Sequence, residues 1–65
     1  MSKISEKWQE ITALVEAAEV DVHKNAGGNA SAGVRARKKL RQLKQLAADL
    51  VKITIESEKA RKDEA

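Results

Sequence analysis

At 65 residues the chain is one small domain, which buries a smaller share of its surface than a larger one, and a monomer of this size needs a second source of stability. Cysteine is absent and His23 is the single histidine, which excludes disulfides and the common metal-ligand sets, so no metal or cofactor is expected and oligomerisation is the remaining source. The net charge of +3 conceals an asymmetry: residues 1–22 carry −3, residues 23–45 carry +7 with no acid, and residues 46–65 carry −1.

The chain has no proline, many Ala, Leu, Lys, Arg, Glu and Gln residues, and apolar residues at regular spacing. This is the composition of helices rather than of a disordered segment. Met1 to Glu10 contains four ionisable side chains and no apolar run, so it reads as neither a secretory signal nor a membrane anchor, and the expected compartment is the cytoplasm.

The first helix is predicted over about residues 2–24, with Ser2 as its N-cap. Ile4, Trp8, Ile11, Val15, Ala18 and Val22 are separated by 4, 3, 4, 3 and 4 residues, which places them on one stripe. On this reading Trp8 packs in the core rather than stacking on a base. The turn falls on residues 25–28, Asn25 to Gly28, where asparagine and glycine tolerate left-handed backbone.

Asn29 can cap a second helix over about residues 29–62. Ala36, Leu40, Leu43, Ala47, Leu50, Thr54 and Ser57 step by 4, 3, 4, 3, 4 and 3, with Leu46 and Ile53 widening the stripe. Val51 to Ile55 alternates apolar and polar residues as a strand does. It nevertheless continues a helical stripe without turn signals on either side, and is assigned to the helix.

The expected fold is therefore all-α, an antiparallel two-helix hairpin forming a single domain. Ala18 and Val22 should meet Ala32 and Ala36 near the turn, with Ile4 and Trp8 against Leu46, Leu50 and Ile53. One hairpin leaves both stripes partly wet and the longer second helix without a neighbour at its end, so two hairpins are expected to pair as a homodimeric four-helix bundle.

Six of the ten residues from Arg35 to Lys44 are basic: Arg35, Arg37, Lys38, Lys39, Arg41 and Lys44. At 100° per residue, Arg37, Lys38, Arg41 and Lys44 fall away from the apolar seam, and Arg35 and Lys39 lie one turn apart on a flank. Such a cluster repels itself and opposes the helix dipole, and a polyanion would relieve both. First-turn N–H groups around Ala30 to Gly33 offer phosphate oxygens a further contact. Gly33 fits either close approach of such a phosphate or a close helix crossing. The alternative for the basic run is a solvated face, but no acid lies between Val22 and Ala48 to pair with it. Lys24 is a supporting base, and His23 a surface residue.

A single aromatic residue provides no stacking platform for single strands, which favours the backbone of a duplex. Gln42 and Gln45 are read as surface residues rather than base readers. Asp49 and Glu58 lie at helical spacing from Lys52 and Lys62, and Glu56 from Lys52 and Lys59. There is no catalytic constellation and no glycine-rich phosphate loop, so an enzyme is not expected.

The run Gly28-Asn29-Ala30-Ser31-Ala32-Gly33-Val34-Arg35-Ala36-Arg37-Lys38, followed by leucines at helical spacing, resembles the bacterial histone-like family related to the chlamydial linker-histone-like proteins. The resemblance extends over about residues 22–62 and is looser over the first helix. It implies a small helical protein that binds DNA and compacts the bacterial chromosome at the nucleoid, and by position it assigns Arg35, Arg37 and Lys38 to DNA. Ala30 stands where the family usually has lysine. The lysine-, alanine- and proline-rich tail of the chlamydial members does not follow, so bridging is expected from basic faces on one oligomer.

Together these readings predict sequence-tolerant binding of double-stranded DNA, with RNA also possible, through Arg35, Arg37, Lys38, Arg41 and Lys44, supported by Lys24, Lys39 and Gly33. The competing reading is a helical protein–protein interaction module whose basic face meets an acidic partner. A third, attachment to an anionic membrane surface, ranks last because few bulky apolar residues remain to insert. No small-molecule substrate is expected.

Overall fold

The computed structural model describes residues 2–64, with side chains described for residues 2–61. Two helices, α1 (Lys3–Ala26) and α2 (Ala30–Glu64), pack on each other as a hairpin, and no strand occurs among the described residues. Ser2 caps α1 in extended backbone, its Oγ accepting the Ser5 N–H at 3.1 Å. Asn29 caps α2, its Oδ1 accepting the Ala32 N–H at 2.9 Å. Both side chains satisfy donors that a helix start leaves unpaired.

The turn is tighter than the sequence suggested. Asn25 and Ala26 complete the last turn of α1, and only Gly27, Gly28 and Asn29 connect the helices. Gly28 has φ 102°, the left-handed conformation that glycine adopts at low cost. The Asn29 N–H donates to the Lys24 carbonyl at 3.0 Å and the Gly28 N–H to the Asn25 carbonyl at 2.9 Å. This pair of bonds is the Schellman motif, which satisfies the final carbonyls while reversing the chain.

Val51 to Ile55 is helical throughout. The Thr54 hydroxyl donates to the Val51 carbonyl at 2.7 Å, so it is satisfied without leaving the helix.

Each helix keeps every second residue of the predicted seam and turns the others inward one position earlier, a rotation of about half a residue, or roughly 50°. In α1 the inner positions are Ile4, Lys7, Ile11, Leu14, Ala18 and Asp21, while Trp8, Val15 and Val22 are exposed. Trp8 is 56% exposed, so it is not a core residue of the hairpin. In α2, Ala32, Ala36, Lys39, Leu43, Leu46, Leu50 and Ile53 turn inward or are half-buried, while Leu40 and Ala47 are exposed. The reason is geometric: each helix has a single neighbour, which covers a narrow stripe, whereas the apolar pattern is broad enough for two.

The core is correspondingly small. Among the described residues, Ile11, Ala18, Ala32 and Ala36 are the buried apolar side chains, with small ones near the turn. The molecule measures 54 × 17 × 12 Å, with a radius of gyration of 15.7 Å against about 11 Å for a compact chain of this length. At 35 residues, α2 is much longer than the 24-residue α1, and its C-terminal part extends beyond the start of α1.

Candidate nucleic-acid interface

The six bases from Arg35 to Lys44 on α2 do not form one uniform patch. Arg37, Arg41 and Lys44 follow spacings of 4 and 3 residues along one exposed row, with Lys38 beside Arg41. None of these four makes an ion pair with an acid among the described residues. The row from Arg37 to Lys44 rises about 10 Å along the helix, comparable with the axial rise of about three phosphates on one DNA strand.

Arg35 and Lys39 face the other way. The Arg35 Nε donates to Asp21 Oδ1 at 3.0 Å and Lys39 Nζ to Asp21 Oδ2 at 2.6 Å. Lys39 Nζ also donates to the Ala17 carbonyl at 3.2 Å. The Asp21 side chain is 9% exposed, against 30% for Lys39 and 51% for Arg35. The Lys39 hydrogen bond, and next that from Arg35, hold the Asp21 carboxyl below the usual carboxylate range, overcoming the opposing effect of burial. α1 thus supplies an acid to a segment that has none of its own.

Gly33 is buried, and its surroundings match the close helix crossing, one of the two readings of this glycine. A Cβ at this position would collide with the Asn25 amide group and meet Arg37 Nη1 at 3.2 Å. Glycine here admits the last turn of α1 and the Arg37 side chain. At the start of α2 two of the four first-turn N–H groups are engaged within the chain: the Ala32 N–H donates to Asn29 Oδ1 and the Gly33 N–H to the Asn29 carbonyl at 3.2 Å.

The remaining candidates are dispersed. Lys24 is exposed in the last turn of α1, on the other helix from the row. His23 Nε2 lies 3.8 Å from Glu19 Oε1. Gln42 and Gln45 line a groove between the helices with Leu14 and Leu46, and Gln45 Nε2 donates to Asp49 Oδ1 at 3.0 Å. Asp49 also acts with Glu10, which bonds Lys7 at 3.0 Å, to raise the Lys7 pKa, the Glu10 hydrogen bond being the larger cause. No ion pair joins Asp49 to Lys52 among the described residues. The expected pair of Glu58 with Lys62 lies outside the described side chains.

A second surface feature was not anticipated in this place. Trp8, Val15 and Val22 on α1 recur every seven residues, and Val15 and Val22 line a groove with Leu40 and Leu43 of α2. Val51 and Ile55 are also exposed further along α2. No group of acidic residues and histidine suited to a metal ion occurs among the described residues, and no helix there is long and apolar enough to cross a membrane.

No curated protein and no solved structure matches the chain. A family model described as histone H1-like protein Hc1 matches residues 5–60, spanning most of α1, the turn and the basic row of α2. The chain, with its capped hairpin and the basic segment opening its second helix, belongs to the Hc1 family of histone H1-like proteins.

Proposed function

We propose that the protein binds double-stranded DNA through its phosphates, with little sequence preference, and contributes to compaction of the bacterial chromosome at the nucleoid. The observation that carries this reading is the exposed row Arg37, Arg41 and Lys44 with Lys38 beside it, unpaired among the described residues. Cations in this arrangement neutralise phosphates in any sequence. Membership of a histone H1-like family supports the same assignment.

The working particle in this proposal is a homodimer that closes as a four-helix bundle over Trp8, Val15, Val22 and Leu40. The accessible surface of 5171 Å² exceeds the roughly 4,100 Å² of a compact chain of this mass. The excess is similar to the ~800 Å² per partner of a standard interface. Two basic rows on one dimer would then be available to bend or bridge DNA.

Fluorescence-polarisation titration of random-sequence duplex across a salt series tests the reading. Four neutralised phosphates per hairpin give a slope of log affinity against log salt of roughly −4, about doubling when both faces of a dimer engage. Arg37→Ala/Arg41→Ala should remain helical by circular dichroism, weaken binding and roughly halve the slope. A wild-type slope near zero would instead favour the interaction module, in which buried apolar contacts to an acidic protein carry affinity. A parallel titration with RNA distinguishes DNA preference from general polyanion binding.

A further inference from the structure

We propose that Asp21 is a positioning residue that divides the basic segment, holding Lys39 and one edge of Arg35 on the hairpin and leaving Arg37, Lys38, Arg41 and Lys44 to meet phosphate. The inference rests on the phosphate-binding reading and specifies which cations that surface contains.

The geometry supports it in three ways. Both Asp21 oxygens are engaged, one by each cation, at 3.0 and 2.6 Å. Lys39 is held by a second bond to the Ala17 carbonyl, so two acceptors on α1 fix its ammonium. Asp21 itself is nearly buried, so withdrawing either cation towards DNA would leave a desolvated carboxylate with one partner fewer. A phosphate in water offers a more screened attraction in exchange. Arg35 is the intermediate case: its Nε is committed, while its side chain remains half-exposed.

The position of Asp21 explains how one carboxylate reaches both cations. Asp21 and Arg35 each lie seven residues from Gly28, and residues equidistant from the turn of an antiparallel hairpin come alongside each other. Lys39 is one helical turn beyond Arg35. The same carboxylate also removes the like-charge repulsion between Arg35 and Lys39 that the bare helix would carry.

Asp21→Asn should release these cations and make the salt slope of DNA binding steeper by roughly 1 to 2, with higher affinity at low salt. Asp21→Glu should retain the wild-type slope, and adding Arg35→Gln/Lys39→Met to Asp21→Asn should restore it. Acetylation of the free protein, followed residue by residue by mass spectrometry, gives a readout without DNA. Lys39 should react more slowly than Lys38 and Lys44 in the wild type, and at a similar rate to them in Asp21→Asn. An unchanged slope in a helical Asp21→Asn, or a wild-type Lys39 as reactive as Lys38, would overturn the proposal. If Asp21→Asn does not fold, the wild-type ratio of Lys39 to Lys38 reactivity decides alone. If the wild type shows no salt-dependent DNA binding while Lys39 is protected, the phosphate-binding reading fails first and the proposed division falls with it.

Discussion

Gly28 and Gly33 show how the same residue type serves two different needs. At Gly28 the need is conformational, because φ is 102° and nothing lies within 4 Å of where a Cβ would be. At Gly33 it is spatial, because the helical backbone is ordinary and the Asn25 side chain fills the place of a Cβ. Gly28→Ala should therefore destabilise the hairpin by about 1–2 kcal/mol, the cost of left-handed backbone for an L-residue, although it creates no clash. Thermal melts followed by circular dichroism measure this directly. A melting temperature equal to wild type would mean that the turn rebuilds without the Schellman bonds.

At the scale of the helices, the Asp21 tie couples the last turns of α1 to the opening of α2 and should make the hairpin sensitive to acid. Because the carboxyl is held below its ordinary value of about 3.9, the tie contributes fully above that pH. Its contribution is lost as pH falls through the lower folded value. Melting temperature should fall on acidification below about pH 4, and Asp21→Asn should lack that part of the decline; parallel curves for the two proteins would remove the tie from the account. The two helices, the caps at Ser2 and Asn29 and the glycine reversal were legible because each depends on local chemistry within a few residues. The rotation of the seam was not, because an apolar pattern broad enough for two neighbours does not say which edge the first neighbour takes. Asp21 was overlooked for a related reason. It lies just outside the acid-free stretch, and only its symmetry with Arg35 about Gly28 signals that it enters the basic segment from the other helix.

The whole molecule is a slender hairpin with a small core and an apolar row on one side, and the dimer reading follows from that shape. Trp8, Val15, Val22 and Leu40 are all at least 39% exposed, so a polar substitution among them costs the isolated hairpin little while placing an unpaired charge in the proposed interface. Val15→Glu should accordingly convert a dimer of wild-type chains into a monomer in sedimentation equilibrium and lower the melting temperature. It should also shift Trp8 emission to longer wavelength, since Trp8 is the only aromatic residue and its row would lose its cover. The same variant separates oligomerisation from DNA contact, because Arg37, Lys38, Arg41 and Lys44 are untouched. Its salt slope should return from roughly −8 to roughly −4 if both faces of the dimer engage DNA. A wild-type particle of monomer mass that is fully helical would remove the four-helix bundle, whereas a Val15→Glu dimer would place the contact on another face.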